Sequence, residues 1–247
     1  LNKRFWQTTK LLAGKRSSDK ALLLPNSFSS ALMTRLAGIA SIGYKTNSRG
    51  LLLKASILKQ PAQHEVQYFW DIAHFASQYW FPALPWPQKI PDRITLPLNS
   101  STTARAKQIL NQAKINKPFW VLCPFAHGTG KDGESKIWPH WRELSAHLQQ
   151  HQLVVCPGKN EEMLCSELVP EATVLSGLNL SEYAAILATA EQVIANDSGP
   201  MHIAAAVGTS TLGIFGATEP HRSRPWGADY IGSLGKWPTL SEALSAL

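Results

Sequence analysis

From residue 117 to 235 the chain alternates two rhythms, and this alternation constrains the fold more than any other feature. Short apolar runs occupy 119–123, 153–156, 173–175, 192–195 and 211–215, and helical patterns fill 141–150, 161–168, 182–190 and 201–207 between them. Strands with no polar face must be buried on both sides, as happens in a parallel sheet covered by helices front and back. The pattern therefore predicts a doubly wound, Rossmann-like domain, with a short closing helix within 238–247.

The first part of the chain reads as a second α/β domain. A strand run at 21–24 ends in Pro25-Asn26-Ser27, and a helix over 29–36 stops at Gly38. Helical spacing over 64–80 predicts an apolar face of Val66, Phe69, Trp70, Ala73 and Trp80. Prolines at 82, 85, 87, 91 and 97 exclude regular structure, so 81–100 is expected to be an extended crossing. Ser101 is the expected cap of a helix running to about Ile115. The predicted domains are 1–116 and 117–247. The chain opens on Leu1 in polar helical sequence, so the first domain is expected to be incomplete, part of a longer protein.

Charge is distributed unevenly over the 247 residues. The net charge is +7, yet residues 1–60 alone carry +10, with Asp19 as their single acid, and the remainder carries −3. An anionic partner for the first half is the natural reading. No aromatic-interleaved basic motif appears, so nucleic acid is not the expected partner. Hydrophobic content of 44% and nine tryptophans exclude a disordered chain. Cys123, Cys156 and Cys165 form no CxxC pair, which fits a reducing, cytoplasmic setting. No apolar run approaches the roughly 18 residues of a membrane span.

Three segments carry chemistry. In VIANDSGPMHIAAAVG (193–208), a buried strand ends at Asn196-Asp197 and a helix begins near Pro200. Amides of Ser198, Gly199 and Met201 would be free at that helix start, where the dipole favours an anion. The plain alternative is an ordinary capped helix. CPFAHGTGKDGESKIWPHW (123–141) follows a strand with three glycines, Lys131 and Lys136, a composition suited to phosphate oxygens or to a solvated loop. It is no Walker A loop. VVCPGKNEEM (154–163) opens a helix with Glu161-Glu162, either as first-turn acids or as a carboxylate for ribose hydroxyls. No HExxH, paired cysteines, DxD or GxSxG appears, so neither a metal site nor a nucleophilic triad is expected.

Taken together these segments resemble glycosyltransferase family 9, the ADP-heptose:lipopolysaccharide heptosyltransferases of Gram-negative bacteria, in the stretches LLLPNSFSSALMTRLAGIASIGY, QHEVQYF, SKIWPHW, LSGLNLSEYAAILATAEQVIANDSGPMHIAAAVGTSTLGIFGATEP and RPWG. D-[ST]-G-x-x-H within the long segment is the specific part of the match. The resemblance implies the GT-B fold: two Rossmann-like domains, the donor bound by the C-terminal one and the acceptor by the N-terminal one. It also implies inverting transfer from ADP-heptose to a lipid A–Kdo inner core, without metal or other cofactor. The enzyme would be a monomer, cytoplasmic and peripheral to the inner membrane.

Carried over, Asp197 would stand at the sugar–diphosphate end, with Lys136 neutralising the leaving β-phosphate. Ser198, Gly199, Met201 and His202 would hold the diphosphate. Glu162 would hold the ribose, with Glu161 one register away. Arg35, Lys45 and Arg49 are the expected acceptor contacts. The family's general base is an Asp in a glycine-containing loop, and no acid here matches it, since Asp19 lies in KRSSDKALLL. The chain is thus expected to bind donor with little transfer. A non-catalytic nucleotide-sugar binding module is the alternative.

Overall fold

The computed structural model describes residues 3–14, 19–130 and 133–247. Lys131, read above as a possible phosphate contact, lies outside these residues. The chain divides into two units, Leu1–Ile90 and Pro91–Leu247. The division falls within the proline-rich stretch instead of at 116/117. Core packing explains the difference: Ala106, Leu110 and Ile115 share one buried cluster with Phe119, Ile186 and Ala204.

Unit 1 holds helix α1 (Lys3–Ala13), strand β1 (Lys20–Leu23), helix α2 (Phe28–Leu36), strands β2 (Ala40–Tyr44) and β3 (Ala55–Ile57), and helix α3 (Glu65–Trp80). Its three strands are parallel, in the order β1-β2-β3. Ser27 caps α2, its side chain accepting from the Ser30 amide at 3.2 Å. Helix α3 starts one residue after its cap, His64, but is rotated from the expected face. Tyr68, Ile72 and Ala76 are buried, whereas Phe69 is 42% exposed. A ring stack sets that rotation. Tyr68 lies on Tyr44 at 4.2 Å, and the Tyr44 hydroxyl donates to the Tyr68 carbonyl at 2.6 Å.

Unit 2 begins with helix α4 (Ser100–Gln112), capped by Asn99 and not by Ser101. The Asn99 carboxamide oxygen accepts from the Thr102 amide at 2.7 Å and from the Ser101 hydroxyl at 2.8 Å. Then follow β4 (Phe119–Cys123), α5 (Trp141–His147), β5 (Gln152–Val155), α6 (Glu162–Leu168), β6 (Thr173–Val174), α7 (Leu180–Thr189), β7 (Gln192–Asn196), α8 (Gly199–Val207), β8 (Ser210–Ile214), α9 (Pro220–Ser223), β9 (Asp229–Ile231) and α10 (Leu240–Ser245). The six strands are all parallel, in the order β6-β5-β4-β7-β8-β9.

Successive residues of β4 and β7 point to opposite faces, as a pleated strand requires. Val121, Cys123, Val193 and Ala195 pack with α4, α7 and α8 on one side. Leu122 and Ile194 pack with α5, α6 and α10 on the other. Each fully buried aliphatic side chain contributes about 1.5–3 kcal/mol. Burial on both faces is why these strands read as continuous apolar runs. The expected fold class, α/β with parallel sheets in two units, is the one observed.

Candidate functional site: a cleft at the switch point of the second sheet

The order of unit 2 reverses between β4 and β7, so the connections leaving these two strands diverge and open a crevice at their carboxyl ends. A cleft of about 630 Å³ lies there, lined by the ends of β4, β5 and β7 and by the start of α8. Lys136, Asp197, Ser198, Gly199 and His202 all line it, so five of the expected donor residues converge.

Lys136 Nζ lies 2.9 Å from Asp197 Oδ2, with both side chains largely shielded from water. Thr218 Oγ1 donates to the same carboxylate oxygen at 2.6 Å. Ser198 is extended at the start of α8, and its side chain makes no capping bond. The first-turn amides are thus left to whatever enters the cleft, and the helix dipole favours an anion. Gly199 supports this. Its φ is not left-handed and a Cβ there would meet no atom within 4 Å, so no neighbouring group of the protein calls for glycine. Met201 contributes by backbone alone. Its thioether is buried, so close beneath β8 that a Cβ at Gly213 would come within 2.6 Å of the sulfur.

Asn196, read from the sequence merely as a strand end, organises the corner. It is fully buried. Its carboxamide oxygen accepts from the Trp138 amide and the Trp141 indole, each at 3.2 Å, and its amide nitrogen donates to the Pro124 carbonyl. Trp138 in turn donates its indole N–H to the Pro238 carbonyl at 2.8 Å. One side chain therefore ties the end of β4, the end of β7 and the turn into α5 together, and Lys136 leaves that turn facing Asp197. A polar residue ending an apolar strand was the available signal. Thr218, in the turn after β8, lies in the family-like stretch that ends in GATEP, but no motif there gave it a role.

The ribose-side acids are placed differently from the first expectation. Glu161 lines the cleft, its carboxylate accepting from the Gly158 amide at 2.6 Å and lying 2.8 Å from His127 Nε2. Glu162 is exposed and does not line the cleft, because one residue along a helix start turns the side chain by about 100°. At the floor, Cys123 Sγ lies 3.2 Å from the Tyr183 hydroxyl. Burial pushes the Cys123 thiol up to about 12 and holds Tyr183 well above its ordinary value, so both are neutral and neither supplies a base.

The expected acceptor cations do not converge. Lys45 is exposed at the carboxyl end of β2, whereas Arg35 lies at the opposite edge, beside the start of that strand. Arg49 is corrected outright. It is fully buried, with Nε donating to the Tyr44 carbonyl at 2.9 Å, Nη2 to Asn26 Oδ1 at 2.9 Å and Nη1 to the Pro25 carbonyl. A guanidinium spent on three internal acceptors holds the end of β2 to the turn after β1 and has no surface to offer an acceptor. Arg49→Met is expected to destabilise unit 1 by about 2–4 kcal/mol by leaving those acceptors unpaired, read as a lower urea midpoint. An unchanged midpoint contradicts this assignment.

With this geometry in place, comparison with known proteins decides the family. Residues 8–242 match the sequence profile described as "Glycosyltransferase family 9 (heptosyltransferase)". The chain belongs to glycosyltransferase family 9. Among its relatives, it is 27% identical over 227 residues to lipopolysaccharide heptosyltransferase 2 of Escherichia coli K12, covering 84% of this chain and 62% of that one. It is 30% identical over 229 residues to lipooligosaccharide heptosyltransferase 2 of Haemophilus ducreyi, covering 84% and 63%. The chain therefore spans less than two thirds of these relatives' length. The solved E. coli ADP-heptose LPS heptosyltransferase II superposes with a TM-score of 0.65 at 25% identity, covering 93% of this chain and 72% of that one. A family 9 structure from Veillonella parvula gives 0.72 at 14% identity, covering 92% and 65%, a likeness of fold. These family 9 structures match the expected fold class.

Among the described residues, no helix is long and apolar enough to cross a membrane.

Proposed function

We propose that the switch-point cleft of unit 2 binds ADP-heptose and that the protein transfers the heptose, with inversion and without metal, to the inner core of lipopolysaccharide. One observation carries the reading: Lys136 stands 2.9 Å from Asp197, beside the uncapped start of α8. Negative charge builds on the β-phosphate as the bond to the anomeric carbon breaks. Preorganised amides of Gly199 and Met201, the helix dipole and the Lys136 ammonium act where that charge develops. Asp197 orients Lys136, and His202 lines the same corner. Glu161, inside the cleft, takes the ribose role first assigned to Glu162. Family membership supports the reading, as do structures of an E. coli heptosyltransferase solved with ADP and with ADP-2-deoxy-2-fluoro heptose.

On the acceptor side the reading retains Lys45, at the carboxyl edge of its sheet, and expects an anionic lipid-linked core at the cytoplasmic face of the inner membrane, met by a monomer. Two measurements test it. Calorimetry on this chain should show ADP binding that survives EDTA, and a full-length protein carrying these residues should release ADP from ADP-heptose in the presence of a Kdo–lipid A or heptosyl core. Loss of both ADP binding and ADP release on chelation contradicts metal-independent use of this cleft. ADP binding with no release by the full-length protein replaces the enzyme reading by a nucleotide-sugar binding module.

A further inference from the structure

We propose that Thr218 is a positioning residue, which holds the Asp197 carboxylate in place while Lys136 moves its charge from that carboxylate to the incoming diphosphate. The inference rests on the reading of the cleft as a diphosphate site and assigns a role in it to a residue outside the motif around α8.

The geometry is a shared oxygen. Asp197 Oδ2 receives the Lys136 ammonium at 2.9 Å and the Thr218 hydroxyl at 2.6 Å. These two donors come from different elements, the turn before α5 and the turn after β8. An ammonium on a flexible stem can rotate from one anion to another. If Lys136 were the sole donor to this oxygen, its departure would strip a partly buried carboxylate of its partner, and that cost would be charged against phosphate binding. Thr218 removes the conflict. The carboxylate keeps a donor on the oxygen that Lys136 leaves.

The turn is built to hold that hydroxyl still. A Cβ at Gly216 would lie 1.9 Å from the Trp237 ring, so the chain is pressed flat against an aromatic wall. A Cβ at Gly130 would come within 2.7 Å of the Ala217 carbonyl, so the loop leading to Lys136 rests directly on this turn. The Asp197 amide also donates to the Ile214 carbonyl at 3.2 Å, fixing the backbone from which the carboxylate projects. Thr218 and Asp197 are thus located by packing on both sides, and their hydrogen bond follows from the fold.

The test uses the chain itself with ADP and adenosine as probes. Thr218→Val keeps the shape and removes the hydroxyl, and Thr218→Ser restores it. The expected result is ADP binding about tenfold weaker in the valine variant, the worth of one hydrogen bond to a charged group. Adenosine binding should be unchanged, and the serine variant should be within about threefold of the parent for ADP. Parental ADP affinity in the valine variant overturns the proposal. So does an equal loss for ADP and adenosine, which would mark a merely structural role; either result leaves the diphosphate reading standing. A parent chain that binds ADP no tighter than adenosine overturns that reading and this proposal with it.

Discussion

Replacing Lys136 by alanine is expected to slow heptosyl transfer by about 10²–10³-fold, the usual loss when one preorganised donor to a developing anion is removed. Release of ADP from ADP-heptose by a full-length protein carrying these residues is the measurement, and calorimetric ADP binding to this chain should weaken in parallel. The fold should survive, because Lys136 projects into a cleft and its structural contact is one ion pair with Asp197. An unchanged urea midpoint separates lost chemistry from lost structure. Near-parental transfer by Lys136→Ala would refute the assignment of this ammonium to the β-phosphate. Arginine should not rescue fully, since a planar fork cannot take the place of a compact ammonium that must turn between two anions.

The largest stability effect is expected at Asn196. Alanine there leaves the Trp138 amide, the Trp141 indole and the Pro124 carbonyl without their partner in a fully buried corner. Each unpaired buried group costs about 1–3 kcal/mol, and three together should remove about 3–5 kcal/mol. Urea denaturation checks the sum. Tryptophan fluorescence checks the cause, because Trp138 and Trp141 pack edge-to-face at 5.7 Å against this side chain and should report the change directly. ADP affinity should fall as well, since the turn that carries Lys136 is held by Asn196. A loss below about 1 kcal/mol would mean that the corner relaxes or admits water, and the tie would not be the organising element described here.

How far the sequence could be read depended on the range of the interaction. Strand and helix identities in 117–235 rest on local periodicity, and burial on both sheet faces wrote that periodicity plainly, so β4 ran over the expected residues and β5, β7 and β8 shifted by at most one. In unit 1 strand β2 was missed although four of its five residues are buried, and the weaker strands were missed with it. Strand β9 has three residues, two of them exposed, and β3 has three with none fully buried, so neither leaves an apolar run. Helix α3 was located correctly and rotated wrongly, because a stack between Tyr68 and Tyr44, 24 residues away, chooses its buried face. Charge was the least legible property. Lys45 and Arg49 look equivalent in the sequence, yet one is exposed and the other is fully buried with three internal acceptors.

The sequence alone determined the doubly wound sheet of unit 2, the strand-to-helix junction at Asp197 and the family, because each is a local pattern of apolar period or motif spacing. Tertiary structure alone decided which side chains meet there. Strand order brings β4 beside β7, and with them the turn that carries Lys136, although Lys136 and Asp197 stand 61 residues apart in the chain. The same packing put Glu161 rather than Glu162 in the cleft, brought Thr218 onto Asp197 and buried Asn196 beneath two tryptophans. These contacts are set by how sheets and helices close over one another, a constraint no local stretch of residues contains.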